Sequence, residues 1–83
     1  MIGQPHTTDD LARAFGRGVR ETRTRQGLTQ KQLSAQSFIA ANTIGCLERG
    51  RVGLALYSAL ALSQALGVTV DELVRLGLEE VET

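Results

Sequence analysis

The sequence predicts an all-α fold of five short helices in one domain. Three observations carry this. First, Thr29 with Gln32, and Thr69 with Glu72, have the spacing of capping boxes. In a capping box the hydroxyl accepts from the amide three residues on, and the Gln or Glu side chain reaches back. Second, glycines at 27, 50 and 67 stand where apolar periodicity stops, which is where a left-handed residue closes a helix. Third, apolar residues make up 42% of the chain and are mostly Leu, Ala and Val, with no Trp, one Tyr and two Phe. That composition suits helix packed on helix.

A chain of 83 residues supports one domain with a modest core, and domains of this size often lean on a partner subunit. Its apolar runs fall short of a membrane span, and no charged-then-apolar leader opens it, so a cytoplasmic protein is expected. One cysteine, Cys46, builds neither an internal disulfide nor a metal site alone, and the single His6 lies beside Pro5. No metal and no cofactor are expected. Nucleophile–base pairs, carboxylate pairs in a plausible cleft and phosphate-cradling loops are missing too, so no catalytic residue is assigned and no enzyme is expected.

A net charge of zero hides an asymmetry. Residues 11–53 carry Arg13, Arg17, Arg20, Arg23, Arg25, Lys31, Arg49 and Arg51 against Glu21 and Glu48. Residues 54–83 carry Arg75 against Asp71, Glu72, Glu79, Glu80 and Glu82. The basic side fits a polyanion, while the plainer reading is two solvated surfaces of opposite sign.

Residues 1–8 show no periodicity and read as a flexible arm. Thr8 is a fair N-cap for the first helix, and Asp9 and Asp10 suit its positive end. Leu11, Phe15, Val19 and Thr22 share its inward face. Gly16 and Gly18 weaken it by about 1 kcal/mol each, and would let another backbone come close. The second helix runs from the Thr29 cap to about Ser37, with Leu28 and Leu33 as an apolar staple. Phe38 and Ile39 form the turn. The third helix runs from about Ala41 to Arg49, with Ile44 and Leu47 inward. Residues 51–55 connect to a fourth helix over about 56–66, and Thr69 opens a fifth. Gly77 is expected to end that helix, which leaves an acidic tail over 78–83 and places the domain at 9–77.

Leu54, Leu62, Leu73, Leu76 and Leu78 are too many for one side of one small domain. This surplus predicts a homodimer contact made by Leu54, Tyr57, Leu73 and Leu76. Its alternative is a set of ordinary exposed leucines.

The unit over 28–50 is two short helices joined by a tight turn, the layout of a helix-turn-helix. Three segments carry a wider resemblance: R-Q-G-L-T-Q-K-Q-L at 25–33, N-T-I-G-C-L-E-R-G-R at 42–51, and A-L-G-V-T-V-D-E-L at 65–73. From about Phe15 to Leu73 the chain resembles the five-helix, lambda repressor-like DNA-binding domain of the repressor/Cro type. The resemblance implies a regulator that binds double-stranded operator DNA as a homodimer. The third helix would enter the major groove, and the half-sites would lie about 34–36 Å apart. Small members of this kind include restriction–modification controller proteins, Cro proteins and some antitoxins, of which the controllers are most similar in length and plainness.

The resemblance places Gln30 on DNA phosphate, Ala41, Asn42 and Cys46 toward bases, and Thr43 near either. Asn42 is the strongest reader, since Asn pairs bidentately with adenine. Arg49 and Arg51 would hold phosphates at the helix exit, with Arg17 and Arg20 as further phosphate candidates. Arg23 and Glu48 match a structural ion pair. The departures are specific. Phe38 stands where the turn usually has Gly, Ala40 replaces a Ser or Thr cap, Leu54 replaces a common Pro, and the outer face of the third helix is small. That face leaves open a second function, a protein-interaction module on the same fold. A Cys46 thiol there would act either as an oxidant sensor or as a small side chain against DNA.

Overall fold

The computed structural model describes residues 8–50 and 55–82, with the side chains of the last helix described to residue 79. Five helices follow in order: α1 (Thr8–Arg25), α2 (Gln30–Ser37), α3 (Ala41–Glu48), α4 (Leu56–Leu66) and α5 (Val70–Glu82). The expected arm over residues 1–7, and the connector with Arg51 and Leu54, lie outside the described residues.

Local chemistry sets the helix ends. Thr29 Oγ1 accepts from the Gln32 amide at 3.0 Å, and Gln32 Oε1 accepts from the Thr29 amide at 2.8 Å. Thr69 and Glu72 repeat this at 3.0 and 2.8 Å before α5. Each box satisfies two amides that a helix start leaves unpaired. α1 begins at Thr8 itself, with Asp9 and Asp10 in its first turn and Arg23 and Arg25 in its last, charges that favour the helix dipole. It closes through Gly27 (φ +74): Gly27 N–H donates to the Thr24 carbonyl and Leu28 N–H to the Arg23 carbonyl, both at 3.0 Å.

Every helix contributes to one core. Phe15 and Val19 come from α1, Leu33 from α2, Ile44 and Leu47 from α3, Leu62 from α4 and Leu73 from α5, all fully buried. Ile39 plugs the core from the turn, and partly buried Leu28 packs against it beside the α2 cap. Burying each such side chain contributes about 1.5–3 kcal/mol, which makes this cluster the main favourable force holding the helices together. Leu11, placed inward by periodicity, is exposed.

α1 is the spine, and glycine lets the other helices touch it. A Cβ at Gly16 would land on the Leu47 carbonyl of α3, and one at Gly18 on the Leu73 carbonyl of α5. Gly77 answers from α5, where a Cβ would land on the Ala14 carbonyl. The expected end at Gly77 is therefore corrected: α5 continues through it to Glu82. The glycine serves a close helix crossing there, and that contact outweighs its weak helix propensity.

A further expectation changes. Leu73 is 1% exposed and Leu62 fully buried, so neither has surface to give a partner subunit. Leu76 and Leu78 are half-buried. Tyr57, also named in the expected dimer contact, is exposed, and among the described residues the other exposed large apolar side chains are Leu11, Phe38, Leu56 and Leu60. Phe38 takes the left-handed conformation, φ +63, and donates its N–H to the Ser34 carbonyl at 2.8 Å. This conformation costs an L-residue with a Cβ about 1–2 kcal/mol.

Candidate nucleic-acid interface

α3 follows Ala40, whose side chain makes no capping hydrogen bond. The start of α3 thus presents amide hydrogens without a side-chain acceptor, a local preference for anions. Asn42 is exposed there, while Ala41 and Thr43 are half-buried. Along the same face Cys46 follows Asn42 by one turn, and Arg49 follows Cys46. The Arg49 guanidinium folds back over this stripe, with Nη2 3.8 Å from Cys46 Sγ.

Behind the stripe, α1, α2 and α3 enclose a cleft of about 270 Å³ lined by Arg20, Arg23, Gln30, Gly45, Glu48 and Arg49. Its floor is a hydrogen-bonded set. Arg23 Nε donates to Glu48 Oε2 at 2.8 Å, and Arg23 Nη2 to Glu48 Oε1 at 3.0 Å. Arg23 Nη1 donates to the Leu28 carbonyl at 2.8 Å. Gln30 Nε2 donates to Glu48 Oε1 at 3.0 Å. Glu48 is only 8% exposed, and a buried carboxylate needs this many donors to offset lost hydration. The hydrogen bond to Glu48 raises the Arg23 pKa above its ordinary value, burial lowers it, and the charge of Glu48 adds to the rise.

Three guanidiniums thus face one carboxylate. Glu48 is engaged by Arg23, whereas Arg20 and Arg49 are exposed and have no ion-pair partner among the described residues. The cleft therefore carries surplus positive charge beside the N-terminus of α2, where Gln30 and the helix dipole favour an anion. Gln30 uses one amide hydrogen on Glu48, which fixes the side chain and leaves the other for a ligand.

Arg17 sits differently from Arg20. Its Nε donates to the Gly77 carbonyl at 3.1 Å, joining α1 to α5. Expected as a phosphate contact, Arg17 is instead partly committed to the fold. It also borders a second cleft, of about 380 Å³, together with Arg20 and Glu48. Arg51 lies outside the described residues.

Gly45, a position to which the sequence assigns no role, is buried on α3. A Cβ there would stand 3.3 Å from Arg49 Nη1 and 3.3 Å from Gln30 Oε1. A side chain at Gly45 would crowd both, and each would have to give by a few tenths of an ångström. A glycine inside an eight-residue helix was the available signal. No cluster of three or more His, Cys, Asp or Glu able to hold a metal occurs among the described residues. No helix there is long and apolar enough to cross a membrane.

Known proteins share this fold. A family model described as helix-turn-helix matches residues 19–73. The chain is 35% identical over 65 residues to y4dJ of Sinorhizobium fredii, an uncharacterized HTH-type transcriptional regulator, covering 78% of this chain and 84% of that one. Among solved structures, the restriction–modification controller protein C.AhdI of Aeromonas hydrophila is 38% identical, with a TM-score of 0.71 over 77% of this chain and 96% of that one. The clp gene regulator ClgR of Corynebacterium glutamicum shares the fold at 24% identity, with a TM-score of 0.79 over 96% of this chain and 81% of that one. The chain belongs to the helix-turn-helix family of the lambda repressor/Cro type, a family of DNA-binding transcriptional regulators.

Proposed function

We propose that the protein is a sequence-specific, non-enzymatic regulator that binds operator DNA as a homodimer in the cytoplasm, in the manner of a small controller protein. α3 enters the major groove. Asn42 reads a base edge, Ala41 and Cys46 offer small apolar contacts, and Thr43 lies close enough to serve base or backbone. Gln30, Arg20 and Arg49 hold phosphates. The observation that carries this reading is the cleft, where Arg20 and Arg49 converge beside the α2 N-terminus with no ion-pair partner among the described residues. The similarity to a restriction–modification controller supports the controller class.

The outer face of α3 is chemically sparse, so part of the preference for sequence comes from DNA shape and deformability. Selection of bound sequences from random DNA tests the proposal. The expected product is a pseudo-palindrome with half-sites about one helical turn apart; recovery of no shared sequence contradicts it. The exposed Phe38 favours the competing reading, a protein-interaction module. Under that reading, charge reversal at Arg49 leaves function unchanged.

A further inference from the structure

Among the described residues, the apolar surface left outside the core is gathered mostly in one place. Phe38 is 87% exposed at the end of α2, and Leu56, Tyr57 and Leu60 are 76%, 68% and 46% exposed on α4. A groove of about 500 Å³ lies there, with Gln36, Phe38, Tyr57, Leu60, Gln64 and Ala65 among its lining residues. Among the described residues no lining side chain is charged, and α4 has no Asp, Glu, Lys or Arg, in a chain where 22% of residues are charged. Phe38 is held left-handed at φ +63, a conformation that Gly or Asn adopts at lower cost. Outliers of this kind persist where they serve a site.

We propose that this groove and Phe38 form the contact between two copies of the chain, the Phe38 of each copy seating between α2 and α4 of the other. The inference rests on the homodimer reading; it keeps Tyr57 of the contact expected from the sequence and replaces the buried Leu73 with Phe38 and Leu60. A two-fold contact uses the same patch twice, so one patch must carry both a projection and a recess. This patch has both, in Phe38 and the groove beside it. An uncharged surface meets its own copy without like-charge pairs or stranded ions. DNA finds no cation in this groove, and a charged peptide finds no counter-charge. Exposed Gln36 and Gln64 supply the polar groups of an interface rim. The groove shares no lining residue with the basic cleft, so pairing leaves the cleft open.

The test is Phe38→Asn in the full chain, read two ways. Sedimentation equilibrium without DNA measures self-association, and thermal unfolding at a dilution where the chain is monomeric measures stability. The wild type is expected to dimerise. The variant is expected to associate at least about tenfold more weakly, as at an interface hot spot, while its monomer melts at a higher temperature because the strain is relieved. Opposite signs in one variant exclude simple misfolding. Leu60→Glu, on the other wall, should also weaken the dimer. A wild type that stays monomeric at every concentration, or a Phe38→Asn dimer as tight as wild type, overturns the inference. Selected DNA measured on the same samples keeps the two readings apart. Sequence-specific binding by a chain that does not pair through Phe38 sinks this inference and spares the regulator. A Phe38-dependent dimer that selects no sequence does the reverse.

Discussion

The Arg23 guanidinium and the Glu48 carboxylate form a two-point pair, at 2.8 and 3.0 Å, that ties α1 to α3 beneath the basic cleft. Their side chains are only 12% and 3% exposed, so removing one partner strands a buried charge. Arg23→Ala should cost about 3–5 kcal/mol in urea unfolding, whereas a loss under about 1 kcal/mol would place the pair with exposed salt bridges. Arg23→Lys should recover only part, since one ammonium does not reproduce the planar fork. The hydrogen bond to Glu48 raises the Arg23 pKa above its ordinary value. A raised folded-state value contributes stability that is complete below the unfolded pKa and lost only as pH climbs through the folded one. The stability gap between wild type and Arg23→Lys should therefore be flat from about pH 6 to about pH 9, and a slope there contradicts this assignment.

Gly77→Ala separates helix propensity from helix contact. Propensity alone predicts a gain of about 1 kcal/mol. The Ala14 carbonyl occupies the space a Cβ would need, so a loss of about 1–3 kcal/mol is expected from overpacking. Thermal unfolding gives the sign, and a higher melting temperature would refute the close α1–α5 crossing.

Ala40→Ser should stabilise the fold. α3 starts without a side-chain cap, and Ala is a poor residue there. A gain of about 0.5–2 kcal/mol in denaturant unfolding is expected. No change would mean that the first amides of α3 already have adequate partners.

On DNA, Gln30→Ala and Asn42→Ala should differ in kind. Gln30 stands beside Glu48 in the basic cleft; as the proposed phosphate contact, its loss should weaken all sequences about equally. Asn42 is exposed on α3, so its loss should relax preference at one base step by about 1–3 kcal/mol. Equal effects of Asn42→Ala on every base at every position would remove it as a reader.

Much of the scaffold is legible in the chain because its signals are local. The boxes at Thr29 and Thr69 and the glycines at 27 and 67 act within a turn of themselves, and the helices begin and end beside them. Contacts between distant segments are harder to read. Gly77 looks like a stop until Ala14 is seen against it, and Leu73 looks like surplus until Gly18 brings α1 onto it. Arg17 reads as a free cation, yet its partner is a carbonyl 60 residues away. The cleft is intermediate. Gln30 and Arg49 are legible from a family pattern, but Gly45, where a side chain would crowd both, carries no chemistry of its own.

The salt dependence of binding to a selected DNA site tests the central claim, that Arg20 and Arg49 form a phosphate-holding cleft. Affinity should fall steeply between about 50 and about 200 mM salt. Arg20→Ala and Arg49→Ala should each lower the slope of log K against log salt by about 1. Binding that is flat over this range, or a slope that neither substitution changes, would contradict the account.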